Sequence, residues 1–253
     1  MAPDNNLTIL SEPHQLFLQR FMAEIVMCDS DAKHLYAQAL STTQGRCNMS
    51  DGVDDKLFLR FLGTLSKALR DNFDLEIRTL NISNDIVQQN ISQIQKTTTI
   101  YHGIVNRSSD NSAKLYGAPD KNPHELSFLR LIFEHMIDDG NSRAVEISCD
   151  LRRPIIGGCN GSLTATEIIN LRNELRGPHE NKLNAQECEK ALNKFVQEKW
   201  LVKIFNQGDQ VPHRRCKEND RYQLGPRTYM ELEPLLKELG LSNIPQAIIH
   251  TSK

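Results

Sequence analysis

The stretch NKFVQEKWLVKIFNQGDQVP, from Asn193 to Pro212, changes its apolar period from helical to alternating at Trp200, with no glycine or proline between. A helix that runs straight into a strand is a severe constraint. Both elements must rest on one apolar seat, and the junction must turn the chain without the usual breakers. Upstream, NAQECEKALNKFVQEKW offers Asn184 as a cap with Glu187 three residues later, and Ala191, Leu192, Phe195 and Val196 inward. Trp200, at the hinge, is predicted to lie beneath both helix and strand, so that a small domain shares one core between them.

The same change of period comes earlier. DDKLFLRFLGTLSKAL carries Leu57, Phe58, Phe61, Leu62, Leu65 and Leu69 at helical spacing, and FDLEIRTL then alternates Phe73, Leu75, Ile77 and Thr79 against Asp74, Glu76 and Arg78. TTTIYHGIV reads as the partner strand, with His102 a half-buried residue within it, and EPHQLFLQRFMAEIV and SDAKHLYAQAL read as two preceding helices. A second segment repeats the plan. PHELSFLRLIFEHMIDD starts at Pro123, SLTATEIINLRNEL holds the capping-box pattern Thr164-x-x-Glu167, WLVKIF and RYQLG are strands, and PRTYMELEPLLKELG closes as a helix. Helix, helix, helix, strand, loop, strand is the order of a winged helix. The predicted fold is α+β, predominantly helical, with tandem winged-helix domains. The first spans 12–116 and the second 123–240, divided at the turn-rich YGAPDKNPHE, and 241–253 reads as a C-terminal tail.

Charge narrows the functions open to such a fold. Lys and Arg total 30 against 32 Asp and Glu, a net charge of -2, so any nucleic-acid contact must come from a local patch. The third helix of the second domain sets Glu187, Glu189 and Glu198 against Lys190, Lys194 and Lys199, a poor surface for reading base edges. Its wing differs: VPHRRCKENDR concentrates Arg214, Arg215, Lys217 and Arg221, candidates for phosphate contact without sequence readout, while the alternative is an exposed loop kept in solution by its charge. Arg152 and Arg153 raise the same two readings.

No nucleophile motif, phosphate loop or metal spacing is present, and GGCNG, Gly157 to Gly161, lacks the lysine of a phosphate loop and reads as a linker. The six cysteines are scattered with no C-x-x-C pair, which suits a reducing compartment. No apolar run approaches the ~20 residues that cross a bilayer, so no membrane partner is expected. LFLQRFM and LFLRFLGTL are apolar over wide arcs. That marks Leu16, Phe17, Phe21, Phe58, Phe61 and Trp200 as candidates either for partner binding or for packing within the chain, which pattern alone does not separate.

These pieces together resemble the non-SMC element 1 homologues. ALNKFVQEKWLV with RTYMELEPLLKEL is similar to that family's second winged helix, NPHELSFLRLIFEHMID and TATEIINLRNEL to its first two helices there, and DDKLFLRFLGTLSKALRDNFDLEIRTL with YHGIVN to its first domain. The resemblance runs from about Pro13 to Gly240. It implies an assembly subunit of the SMC five–six complex, nuclear and chromosome-associated, acting in DNA repair and recombination. The implied partners are a MAGE-type subunit, a kleisin subunit, and double-stranded DNA bound without sequence preference. Family members continue into a zinc-bound RING-like domain that supports ubiquitin transfer; LSNIPQAIIHTSK holds no cysteine, so neither zinc nor ligase activity is expected of these residues. Resemblance of fold alone leaves two other readings: a scaffold subunit of a transcription or trafficking complex, or a DNA-binding regulator.

Overall fold

Three residues other than glycine take positive φ among the described residues, and each stands where a helix gives way to a strand: Ile25 at 62°, Asp74 at 53° and Lys199 at 64°. The computed structural model describes residues 10–44, 53–85, 96–107, 123–151, 161–175, 183–204 and 220–250. The chain divides into two compact units, Met1–Ser109 with Pro245–Lys253, and Asp110–Ile244.

The first unit runs α1 (Glu12–Glu24), β1 (Val26–Cys28), α2 (Asp29–Gln44), α3 (Asp55–Phe73), β2 (Leu75–Asp85) and β3 (Lys96–Asn106), and β7 (Ala247–Ile249) completes it. Its antiparallel sheet has the order β1-β3-β2-β7. The α1 pattern predicted helix through Val26, but the helix ends at Glu24. Ile25 turns the chain, and Val26, Met27 and Cys28 pair with Gly103, His102 and Tyr101. Asp54 caps α3 by accepting the Lys56 amide at 2.8 Å, and Asp74 ends it in the left-handed region, which a short polar side chain tolerates. The core beneath the sheet is aromatic, with Phe17, Phe21, Tyr36, Phe58 and Phe61 gathered around Leu62, Leu65, Leu69 and Ile77.

The stretch beyond Gly240, read as a tail, holds an element. Ala247, Ile248 and Ile249 pair with Leu80, Thr79 and Arg78 of β2. Three apolar residues are too few to announce a strand, and the partner lies far back in the chain.

The second unit comprises α4 (Pro123–Leu151), β4 (Leu163–Thr164), α5 (Ala165–Asn170) with a 3-10 turn at Leu171–Asn173, α6 (Ala185–Gln197), β5 (Leu201–Ile204), β6 (Arg221–Leu224), α7 (Pro226–Glu231) and α8 (Glu233–Glu238). Its antiparallel sheet has the order β4-β6-β5. Both predicted capping boxes form, Thr164 with Glu167 and Asn184 with Glu187. The second helix is shorter than its apolar pattern suggests and tightens into the 3-10 turn after Asn170. The closing helix is broken at Leu232. Pro234 has no amide to donate back along the helix and its ring crowds the preceding turn, so a second helix starts there. Gly161, the last residue of GGCNG, lies so close to α4 that an added Cβ would stand 1.7 Å from the Met136 carbonyl oxygen.

The end of α6 answers the constraint set by the sequence. Lys199 donates its amide to the Val196 carbonyl at 3.2 Å, and Trp200 donates to Phe195 at 2.9 Å. That pair of bonds around a left-handed residue closes a helix and frees the next residue to begin a strand. Gly225 then donates to the Trp200 carbonyl at 2.7 Å, and a Cβ on Gly225 would lie 2.1 Å from the Lys199 carbonyl oxygen.

Gly225→Ala is expected to destabilise the second unit by roughly 1–3 kcal/mol, because backbone must move to admit the methyl group. Lys199→Gly is expected to hold or raise stability by up to about 1 kcal/mol by removing the left-handed penalty. Urea unfolding monitored by Trp200 fluorescence checks both, and equal midpoints for Gly225→Ala and the parent protein would refute the first.

Candidate partner-binding surface

The wide apolar arcs of α1 and α3 are used mainly inside the first unit. Phe17, Phe21 and Phe58 are fully buried and Phe61 nearly so. Phe61 meets Phe17 edge-on at 5.3 Å between ring centroids and Tyr36 at 4.8 Å, while His14 stacks on it at 4.1 Å. Leu16 is half-buried against the same cluster. These rings form the unit's own core and leave little of themselves for a partner.

What remains outside is aliphatic or terminal. Met22, Leu57, Leu59, Phe73, Ile100, Ile248 and Ile249 are the exposed large apolar side chains among the described residues, and all belong to the first unit. Phe73 is 69% exposed, and Ile248 and Ile249, on the outer strand of the sheet, are 56% and 46% exposed. Among the described residues β7 pairs only with β2, and an edge strand that carries exposed apolar side chains is a ready seat for another chain. Sequence reasoning named Leu16, Phe17, Phe21, Phe58, Phe61 and Trp200, and did not single out Met22, Leu57 or Leu59 within the same helices. A signal was available for α3: the buried Phe58, Phe61, Leu62, Leu65 and Leu69 repeat every three or four residues, and Leu57 and Leu59 fall off that stripe.

Trp200 is fully buried in the second unit. Its indole Nε1 donates to Glu198 Oε2 at 2.9 Å, and the Arg227 guanidinium lies 4.2 Å above its ring, itself held by Glu231 at 2.7 Å. Thr228 Oγ1 donates to the Trp200 carbonyl at 2.6 Å. The residue is a structural hinge pin.

Of the four cations proposed for phosphate contact, Arg214, Arg215 and Lys217 lie outside the described residues, as do Arg152 and Arg153. Arg221 is described and is engaged within the fold. It donates through Nε to Ser162 Oγ at 3.0 Å and through its terminal nitrogen to the Ser162 carbonyl at 2.7 Å. That ties β6 to the residue before β4.

A buried polar chain in the first unit was not foreseen. His102 is only 1% exposed, not half-buried. Its Nε2 meets Asp29 Oδ1 at 2.9 Å and its Nδ1 meets Thr79 Oγ1 at 2.7 Å, while Thr79 Oγ1 also contacts His250 Nε2. Arg70 donates to the His250 carbonyl at 2.9 Å, and Lys33 joins Asp29 at 2.8 Å to Asp55 at 2.6 Å. Burial pushes His102 below the ordinary imidazole range against the pull of Asp29, and burial with His102 alongside pushes His250 down to about 4. Burial alone would raise Asp29, but hydrogen bonds and charge from Lys33 and His102 outweigh it and hold the carboxyl below its usual value. The Thr79 hydroxyl is enclosed between two imidazoles, with Thr79 7% exposed, so the row acts as a clamp on the residue after β7 and offers no accessible nucleophile. Among the described residues no three His, Cys, Asp or Glu side chains converge as a metal site.

A family model described as the Nse1 non-SMC component of the SMC5-6 complex matches residues 14–232. The non-structural maintenance of chromosomes element 1 homolog of Xenopus laevis is 28% identical over 207 residues, covering 82% of this chain and 60% of the relative. Its Homo sapiens counterpart is 23% identical over 208 residues, covering 82% and 61%. The chain thus spans about 60% of the length of the curated relatives it matches. A solved structure described as an Nse1-Nse3-Nse4 complex superposes with a TM-score of 0.58 at 25% identity, over 90% of this chain and 74% of that one.

The clamp makes the first unit sensitive to acid. Unfolded imidazole titrates near 6.5, whereas folded His250 takes its proton only near 4, so the unfolded state binds more protons between these values. Stability is therefore complete above about pH 6.5 and lost progressively as pH falls toward 4. Thermal melts across this range are expected to show that decline in the parent and a shallower one in His250→Gln; parallel profiles would refute the clamp.

Proposed function

This chain belongs to the Nse1 family of non-SMC components of the SMC5-6 complex, and from that premise we propose that it is an assembly subunit, pairing with an Nse3-type MAGE subunit and an Nse4-type kleisin subunit. The observation that carries the reading is the confinement of exposed large apolar side chains, among the described residues, to the first unit, whose own core is already complete. The likeness to a solved assembly of Nse1, Nse3 and Nse4 supports the choice of partners. Within the first unit the β7 edge and the adjoining end of α3, with Phe73, Ile248 and Ile249, form the docking site in this proposal. A nuclear, chromosome-associated place in DNA repair and recombination follows from the same complex.

The family match sets aside the scaffold of a transcription or trafficking complex. The outward face of α6 speaks against a sequence-reading regulator, since Gln186, Glu187, Glu189, Lys190, Asn193 and Gln197 face solvent and carboxylates oppose phosphate. The aromatic residues marked for either partner binding or packing within the chain support assembly indirectly in this proposal, by fixing the helices that carry the exposed side chains.

Co-expression with an Nse3-type subunit, followed by size-exclusion chromatography with light scattering, is expected to give a stable one-to-one complex. Phe73→Glu combined with Ile249→Glu is expected to weaken it at least tenfold, since each half-exposed side chain contributes about 1 kcal/mol when covered. A monodisperse chain that never co-elutes with the partner would end the proposal, and an undiminished complex in the double variant would move the docking site elsewhere.

A further inference from the structure

β7 is lightly attached for a strand. It meets the sheet at three register pairs, Ala247, Ile248 and Ile249 with Leu80, Thr79 and Arg78, and both isoleucines are half-exposed. β2 does not depend on it, because β3 pairs with β2 along the whole of Leu75–Asp85. What fastens β7 is the residue that follows it. Arg70 donates to the His250 carbonyl at 2.9 Å, the His250 amide reaches the Ile77 carbonyl at 3.5 Å, and the His250 ring meets the Thr79 hydroxyl. That hydroxyl holds one proton and lies between two imidazoles, which fixes the direction of the row. The Asp29 carboxylate accepts from His102 Nε2 at 2.9 Å, so His102 Nδ1 is an acceptor and takes the Thr79 proton at 2.7 Å. The Thr79 oxygen then accepts from His250 Nε2. Both rings are neutral and carry their proton on Nε2.

A second proton on His250 enters at Nδ1, and its described surroundings supply no free anion to hold it. α3 offers the Arg70 guanidinium, and Asp71 next to it is exposed. β3 offers the neutral His102. β2 offers Thr79, while its Arg78 is paired with Glu76. On α2, Asp29 lies on the far side of His102 and is shared with Lys33, which also holds Asp55 of α3. β7 itself has no titratable side chain. We propose that β7 is a proton-gated strap: when His250 takes up a proton the strap leaves β2 and the docking edge is dismantled, while the rest of the first unit stays folded. This inference rests on the docking site proposed above and adds its regulation. His102 is not part of the moving piece, since it packs edge-on against Phe58 in the core at 5.5 Å. Burial, with His102 alongside, holds His250 down to about 4, and release returns it to the ordinary imidazole range. Closure of the strap is therefore at full strength above about pH 6.5 and weakens as pH falls, by about tenfold at pH 5.5.

NMR of the full chain, with isoleucine methyl groups and imidazole nitrogens labelled, tests this between about pH 7.5 and pH 5. Both rings are expected as the Nε2–H tautomer at the upper end. As pH falls, the Ile248 and Ile249 methyl signals are expected to move toward free-chain positions, while Ile77 in the core keeps its own. In His250→Gln, whose amide still donates to Thr79 but takes no proton, they are expected to stay in place. Thr79→Val is expected to loosen the strap at neutral pH, and Thr79→Ser to keep it closed. Affinity for an Nse3-type subunit is expected to fall roughly threefold or more between about pH 7.5 and pH 5.5 in the parent, and not in His250→Gln. Isoleucine methyls 248 and 249 that never shift would overturn the gate and leave the docking site standing. A shift of Ile77 together with them would also overturn it, because acid would then unfold the unit as a whole. Release of the strap with equal partner affinity in the parent and His250→Gln would overturn both the gate and the docking site.

Discussion

The fold depends on a helix being stopped by one left-handed residue that turns the chain directly into a strand. At Lys199 and Trp200 the helix closes with paired backbone bonds, and Trp200 then buries its ring while its carbonyl accepts from Gly225 and Thr228. Each polar atom of that turn finds a partner as the largest side chain leaves water, so helix end and strand start are one packing event. Asp74 makes the corresponding turn in the first unit, with its amide bonded to the Leu69 carbonyl. Lys199 has no short polar side chain to ease the conformation, and the closeness of Gly225 shows how tightly its surroundings hold it.

The first unit joins elements that lie far apart in the sequence. Aromatic residues from α1, α2 and α3 fill one core beneath the sheet, and the last described strand returns to β2, where Thr79 and Arg70 hold His250. Neutral imidazoles serve this purpose because a buried pair of charged rings would repel. The outer edge of that strand and the end of α3 keep their apolar side chains in water, which is where the assembly reading places the partner.

Much of this was legible in the residues, and the limits have physical causes. The periods of α3, α4 and α6, the two capping boxes and the hinge at Trp200 are local signals, and they describe two winged helices correctly. What escaped was non-local or short. Val26 to Cys28 and Ala247 to Ile249 become strands only because β3 and β2 offer edges to them, and His102 is buried only because Asp29 and His250 arrive from distant parts of the chain. The helix break at Leu232 was readable from Pro234, and the shortened second helix was not. For the site, an aromatic-rich motif marks a helix in heavy use but not which of its faces a neighbour takes. Phe58 and Phe61 went inward, and Leu57 and Leu59 between and beside them stayed out.

Amide hydrogen exchange on the chain alone and in complex with an Nse3-type subunit examines this division of labour most directly. The expected result is new protection confined to the β7–β2 edge and the last turn of α3, with the amides of Trp200 and Gly225 slow in both states. New protection centred on α6 and the second unit's sheet, with none in the first unit, would contradict it.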